Sequence, residues 1–500
     1  MASLPKSLPR ICVALGFADP EQLARAAEQE IKDGSLFLEL RLDYLRSPEL
    51  GPRVIEHLRE QHPDLYVIAT CRHKTNHGGF KGSVEEQMAL LAQSEEAGAQ
   101  LIDLEIEIAE MARKHAEALR ANASLIVSYH NFKSTPALDV AWRRLRRIEA
   151  DAYKIATTPR KPSDDLRVAE FFRARHEFPL IAFAMDEVGV PTRILSLAAG
   201  CAFTYAAPLE GDGTAPGQVP AKLMRSLYRA DRLGKHTKVF GVIADPVAHS
   251  RSPQIHNRAF HAKRMDAVYL PFRVALSALG DWMKLAEGLP VQGFSVTIPH
   301  KQKIVRYLDA VDPLARRIGA VNTVWRKGGK WRGTNTDVAG ILRPLEQRIR
   351  LPKAAVLLAG YGGAARAAAF ALREAGAQVT ITGRQVSSAL ALARIVGADT
   401  ASLAESVERG YDVLINATPV GMHPNTEESL FPLRIPASLV FDMVYNPHQT
   451  LMLRQASDQG CKVIHGCEMF LEQAAEQFEI WTGETAPRGV MRQSLETHLD

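Results

Sequence analysis

The strongest constraint on this chain is a rhythm. Between residues 1 and about 232, short apolar, β-branched runs alternate with longer helical patterns, eight times over. The strand-like runs are "ICVALG" (11–16), "SLFLELRL" (35–42), "DLYVIATCR" (64–72), "LIDLEIE" (101–107), "SLIVSYH" (124–130), "DAYKIAT" (151–157), "PLIAFAM" (179–185) and "AFTYAAP" (202–208). Their length and bounding turn residues suit strands. Amphipathic stretches such as "EQLARAAEQEIKDG", "SVEEQMALLAQSEEAG" and "AWRRLRRIEA" lie between them, and "VPAKLMRSLYRADRL" ends the series. Parallel strands need helical crossovers, so eight βα units in this length predict an α/β fold that closes into a parallel (β/α)8 barrel over residues 1–232. A chain of 500 residues exceeds one ordinary core, so further domains must follow.

Polar residues cluster where these strands end. Glu39, Arg41, Arg72, Glu105, His130 and Lys154 stand at strand C-termini, Arg193 follows strand seven, and "TAPGQ" (214–218) follows strand eight. In such a barrel those ends form one mouth, where active sites sit. Alone, each residue has two readings. Lys154 either snorkels from an edge strand or works uncharged. His130 is either a satisfied core histidine or an acid–base group. Glu39, Arg41 and Arg72 are either structural ion pairs or substrate contacts. Their coincidence at one end favours chemistry. A lysine crowded by arginines sheds its proton and attacks a ketone, the resulting iminium acidifies the adjacent C–H, and a nearby imidazole moves the proton. Arg193 offers a bidentate grip on a carboxylate.

The motifs "ELRLDYL", "SYHNFKSTP", "YKIATTP", Arg193 and "TAPGQV" resemble type I 3-dehydroquinate dehydratase across this whole half. The resemblance implies that Lys154 forms the imine with 3-dehydroquinate and that His130 is the general acid and base. It also implies that Glu39, Arg41, Arg72, Arg193, Thr214 and Gln218 hold the substrate, and that 3-dehydroshikimate and water are the products. Two positions depart from the family pattern. Tyr205 stands where Phe is usual, and the loop "RHKTNHGGF" places His77 where an acid supporting the histidine is expected. Glu105 is the nearest sequence candidate to take over that support.

After a short polar junction, "LGKHTK" (233–238), a second pattern starts. "KAAVLLAGYGGAARAAAFALREAG" reads as strand, glycine turn and helix, with Gly360, Gly362 and Gly363 letting the backbone approach a pyrophosphate. The next strand ends at Arg384, about 22 residues on, where an NAD site usually has an acid. Arg suits a 2′-phosphate, so the expected cofactor is NADP. Before that turn lie "HSRSP" (Ser250, Ser252), "GFSVTIPHK" (Thr297, Lys301), "GAVNT" (Asn322) and "GTNTD" (Asn335, Asp337). These hydroxyls and amides suit a polyhydroxy acid. Lys301 is either a solvated helix-start lysine or, with Asp337, a proton-transfer pair.

With "INATPVGM", "DMVYNPHQT" and "GCEMFLEQAAEQFEIWTG", these motifs resemble shikimate dehydrogenase over about 238–500. The resemblance implies a substrate-binding domain over 238–345 and 467–500, and a Rossmann NADP-binding domain over 346–466. Lys301 and Asp337 would be the catalytic pair. Ser250, Ser252, Thr297, Asn322, Asp337, Tyr445 and Gln473 would contact substrate. Gly360, Gly362, Gly363, Ala364 and Arg384 would hold NADP, with Met469 lining the pocket. Arg251, Ser295, Tyr361 and Gly383 depart from the usual residues at their positions.

A net charge of +5, from 61 basic and 56 acidic residues, gives no nucleic-acid or membrane signature. The longest uncharged run, Ile194–Leu209, has 16 residues, too few to span a bilayer. Five cysteines without zinc spacing read as reduced thiols, with no metal site. The expectation is a shikimate-pathway enzyme whose first half makes the ketone that its second half reduces to shikimate. It would be cytoplasmic, or a processed plastid form, with small-molecule partners only. Quinate dehydrogenase specificity and a non-catalytic quinate-pathway regulator are the alternatives.

Overall fold

The computed structural model describes residues 4–174, 178–209 and 213–496. The chain divides into two compact units, Met1–Lys238 with Pro271–Pro290, and Val239–Leu270 with Val291–Asp500.

Eight strands build the first unit's sheet: β1 (Ile11–Leu15), β2 (Phe37–Arg41), β3 (Tyr66–Thr70), β4 (Leu101–Glu105), β5 (Ser124–Asn131), β6 (Ala152–Thr157), β7 (Leu180–Ala184) and β8 (Thr204–Ala206). The order β7-β6-β5-β4-β3-β2-β1-β8 is parallel wherever the register is defined, and β8 returns to pair with β1 through Ile11↔Thr204 and Val13↔Ala206. At the β7–β8 seam, Ala202 N–H donates to Leu180 O at 3.2 Å. The (β/α)8 barrel is therefore nearly closed. Helix starts follow local chemistry: Asp19 caps Pro20–Lys32 by accepting from the Glu21 and Gln22 amides, and Ser83 with Glu86 forms a capping box before Val84–Glu96.

The strand period of two explains how a hydrophobic barrel presents a polar mouth. Phe37, Ile68, Leu101, Ile126, Ala152, Ile181 and Phe203 belong to the inner core. Two residues further along, on the same face, come Glu39, Thr70, Asp103, Ser128, Lys154, Phe183 and Tyr205. Four residues along β2, β3 and β5 come Arg41, Arg72 and His130. Strands β2 to β6 each carry an apolar base and a polar tip.

The second unit holds two sheets. The first comprises β9 (Lys238–Ala244), β10 (Ala267–Arg273), β11 (Val291–Val296), β12 (Ala310–Val311), β13 (Thr323–Lys327) and β14 (Lys330–Thr334), ordered β10-β9-β11-β13-β14-β12. Its core takes Leu471, Ala474, Phe478, Met491 and Leu495 from the two C-terminal helices against Phe240, Ile255 and Phe260. The other comprises β15 (Ala355–Ala359), β16 (Gln378–Thr382), β17 (Asp399–Thr400), β18 (Tyr411–Asn416), β19 (Ala437–Asp442) and β20 (Lys462–Ile464). Its parallel order β17-β16-β15-β18-β19-β20 reverses direction between β15 and β18, which is where such sheets bind nucleotides.

Candidate active sites

The barrel mouth forms a cavity of about 70 Å³ lined by Glu39, Arg41, Arg72, His77, His130, Lys154, Arg193, Tyr205, Thr214 and Gln218, among others. Every barrel residue singled out as a substrate or catalytic group lines it. Lys154 is 5% exposed. Its Nζ donates to Asp103 Oδ2 at 2.9 Å, lies 3.8 Å from Glu39 Oε1 and sits 3.8 Å from the centre of the Tyr205 ring. The sequence expectation of a lysine crowded by arginines is corrected here, because its nearest charged neighbours are carboxylates. Asp103 escaped the sequence reading, yet it holds the network together. It is fully buried, accepts from Ser128 Oγ at 2.6 Å, and pairs with Arg72 Nη2 at 3.3 Å. Burial alone would raise its carboxyl, but Lys154 and Arg72 hold it below the usual range. The signal that could have found it is its place two residues beyond Leu101, on the inward parity of β4.

His130 lies with its Nδ1 and Nε2 2.6 and 2.8 Å from Arg72 Nη1. Burial, then the charges of Arg72, Lys154, Arg41 and Arg193, push its imidazole far below the ordinary range. It is thus a neutral base at physiological pH. Glu105 does not support it, contrary to expectation. Its Oε1 accepts from His73 N at 2.8 Å and from Gln87 Nε2 at 3.2 Å. As the last residue of β4 and the N-cap of the following helix, it turns to the loop side. His77 has left-handed backbone (φ 60) and its ring packs 4.6 Å from Phe132, which stacks on His130 at 5.9 Å. Arg41 is held by Asp43 through two 2.9 Å bonds. Arg193 differs. It is fully buried in the helix Val190–Ala199, donates Nη2 to Pro216 O at 3.1 Å, and lies 4.4 Å from the Phe183 ring. Its Nε and Nη1 have no partner among the described residues, and burial pulls it down to about 9. A buried cation with two free N–H groups is built to receive an anion.

In the second unit a cleft of about 460 Å³ is lined by Ser250, Ser252, Thr297, Lys301, Asn322, Asp337, Tyr445, Gln473, Ala364 and Met469, with Ser295, Phe470 and Gln477 beside them. Lys301 Nζ donates to Asp337 Oδ2 at 2.6 Å, and Asn322 Nδ2 fixes Asp337 Oδ1 at 2.8 Å. Asn335 serves structure instead: it accepts from Asp337 N at 3.0 Å and donates to Ala320 O at 3.0 Å. From behind the cleft wall, Tyr269 Oη donates to Ser295 Oγ in the wall, which donates to Gln477 Oε1, at 2.6 and 2.8 Å. Sequence reading named Ser295 only as a departure and missed Tyr269 and Gln477.

The glycine turn after β15 leads into the helix Gly363–Glu374, whose first amides have no side-chain cap. Gly360 has φ +123, and a Cβ there would meet Ala417 O at 2.9 Å. A Cβ on Gly362 or Gly363 would meet nothing within 4 Å, so the space before the helix is open. Arg384, just past β16, is exposed and unpaired among the described residues. Open amides at a helix N-terminus with an unpaired cation beside them fit a phosphorylated dinucleotide. Only Ala364 of this turn reaches the cleft wall; Gly360, Gly362, Gly363 and Arg384 lie outside it.

These features define a two-enzyme chain: a lysine-based lyase on a barrel, joined to a dehydrogenase with a nucleotide-binding sheet. The type I 3-dehydroquinase family matches residues 11–235. The shikimate dehydrogenase substrate binding domain matches 242–324, and the shikimate 5′-dehydrogenase C-terminal domain matches 466–496. The chain is 36% identical to the chloroplastic bifunctional 3-dehydroquinate dehydratase/shikimate dehydrogenase of Arabidopsis thaliana, over 91% of this chain and 79% of that protein. It belongs to that bifunctional family. Its second half is 41% identical to a shikimate dehydrogenase (NADP(+)) of Bacillus cereus (strain G9842), over 51% of this chain and 96% of that protein. It also resembles a crystal structure of a shikimate dehydrogenase in complex with NADP+, at 38% identity and a TM-score of 0.51, over 53% of this chain and 96% of that one.

Proposed function

We propose that the two activities run on the residues gathered above. In the barrel, Lys154 adds to the ketone of 3-dehydroquinate and water leaves to give an iminium. Arg193 grips the substrate carboxylate. Neutral His130 takes the acidified C–H proton and returns it to the departing hydroxyl, and hydrolysis frees 3-dehydroshikimate and Lys154. Glu39, Arg41, Arg72, Thr214 and Gln218 hold the ring hydroxyls and carboxylate. The observation that carries this reading is the buried Lys154 in one small cavity with His130, whose imidazole burial and nearby cations push low, and a half-unpaired Arg193.

In the second unit, Ser250, Ser252, Thr297, Asn322, Tyr445 and Gln473 orient 3-dehydroshikimate. Lys301, aimed by Asp337, gives a proton to the carbonyl oxygen as it becomes an alcohol. NADPH, when bound, supplies the hydride. Gly360, Gly362, Gly363 and Ala364 receive its pyrophosphate, Arg384 its 2′-phosphate, and Met469 flanks the cleft. The expected division is a dehydratase over 1–232, a substrate domain over 238–345 and 467–500, and a nucleotide domain over 346–466; residues 1–3 and 497–500 lie outside the described residues. Among the described residues no helix is long and apolar enough to cross a membrane. The aqueous compartment of the pathway, bacterial cytoplasm or plastid stroma, suits such a chain, and tagging in its native cell would test that. One assay tests the function: 3-dehydroquinate and NADPH together must yield shikimate, and failure of either half-reaction sinks that half of the reading.

A further inference from the structure

Four buried charged groups meet beneath the barrel mouth: Glu39 and Asp103, against Arg72 and Lys154. Asp103 touches both cations, Lys154 through Oδ2 and Arg72 through Oδ1, and Ser128 donates to that same Oδ1. The Lys154 nitrogen is enclosed by Asp103 at 2.9 Å, Glu39 at 3.8 Å and the Tyr205 ring face at 3.8 Å. All three surroundings favour a cation on that nitrogen. Two anions balance two cations only while the nitrogen carries its charge.

We propose that Asp103 is the counter-ion of the covalent iminium. It keeps the Lys154 nitrogen positively charged after the C=N bond has formed, and so keeps the electron sink that acidifies the adjacent C–H. This rests on the imine reading above. The overall step conserves charge. The ammonium and the ketone become an iminium and one water. The C–N bond forms, the C–O bond breaks, and the two protons lost from nitrogen leave in that water. Asp103 stays ionised throughout, in line with a carboxyl held below its usual range. A neutral imine would leave the buried Asp103 and Glu39 facing Arg72 alone, one charge short, where burial makes an unbalanced charge costly.

The test is trapping with 3-dehydroquinate and sodium cyanoborohydride, which reduces iminium ions far faster than neutral imines, read by intact mass. Wild type and His130→Asn should both gain the reduced adduct on Lys154. Asp103→Asn should trap at least tenfold less under the same conditions and lose at least a hundredfold in kcat. Its KM should stay within about threefold, because Asp103 does not line the cavity. Asp103→Glu should recover part of the trapping. Should Asp103→Asn not fold, Ser128→Ala keeps the charge but removes the shorter of the two bonds that hold Asp103 Oδ1, and trapping should fall several-fold. Absence of adduct in wild type and in His130→Asn would overturn the imine reading itself. Adduct at wild-type yield in Asp103→Asn, or in Ser128→Ala where that variant must stand in, would overturn the counter-ion alone.

Discussion

Arg193 carries a liability that should be measurable in two directions at once. Burial pulls its guanidinium down to about 9. That is a loss of roughly three to four powers of ten in proton affinity, corresponding to about 5 kcal/mol against the charged form. A base held lower in the folded chain than in the unfolded one costs stability at every pH below about 9, so the whole penalty is present at neutral pH. Arg193→Met removes it while filling similar space. The change also loses the bond to Pro216 O, about 1.5–3 kcal/mol, and the contact with Phe183, about 1 kcal/mol. The net gain is about 1–2.5 kcal/mol, which in a barrel of this size raises Tm by roughly 2–10 °C. Function should move the other way. Two lost charge-assisted bonds to the substrate carboxylate, at about 1.5–3 kcal/mol each, cost roughly 10²- to 10⁴-fold in kcat/KM for 3-dehydroquinate. Calorimetry of the unliganded protein and steady-state dehydratase kinetics read the two arms. A variant that melts lower and keeps its kcat/KM would refute the argument, because Arg193 would then be a structural cation already satisfied by its surroundings.

Other expectations are simpler. Arg384→Ala should raise the NADPH KM about ten- to a hundredfold and leave NADH use nearly unchanged, as steady-state kinetics with both cofactors will show. Lys301→Ala or Asp337→Ala should abolish reduction while sparing dehydration, and Lys154→Ala the reverse, read by separate half-reaction assays on folded protein. His77→Ala should cost less than about tenfold in dehydratase kcat, because its ring packs on Phe132 rather than bonding His130. His256, stacked on Tyr269 at 4.5 Å, is pulled by burial down to about 3, whereas the unfolded chain takes up that proton near pH 6.5. Its folded value is the lower one, so stability falls as pH drops through this window, by about 2 kcal/mol at pH 5. His256→Phe should lose that much less than wild type between pH 8 and pH 5 in urea titrations; equal losses would show that another group controls the acid limb.

The barrel was legible because its rule is local. A strand of period two with an apolar base must turn its next same-face residues to the mouth, and Glu39, Arg41, Arg72, His130 and Lys154 all follow that rule. Asp103 obeyed it too, but an acid between Ile102 and Leu104 reads as an ordinary interruption until the barrel brings Lys154 to it from β6, two strands away. What the sequence could not show was pairing at a distance. The charge around Lys154 is set by β2 and β4, not by neighbours along β6, so the expected arginine crowding was wrong in sign. Glu105 failed as a support for His130 because a strand's last residue answers to the loop and helix that follow. In the second unit, two departures from the family pattern explain each other: a Cβ at Gly383 would lie 2.9 Å from the Tyr361 ring, so the large residue in the glycine turn requires the small one after β16. No single-position reading could have found that.

The turn after β15 has a consequence for resistance. The groups that would meet a pyrophosphate there are amide N–H groups, and substitution changes side chains, leaving those amides in place unless proline is introduced. At Gly360 even alanine would strike Ala417 O. A side chain at Gly362 or Gly363 has room, but it would enter the space the pyrophosphate needs, so an inhibitor anchored on these amides leaves a cell under selection few escapes at the turn itself. The freedom lies at exposed Arg384. Serial passage against such a compound should accumulate changes there before any in the glycine turn, and survivors should have traded their discrimination between NADPH and NADH for growth.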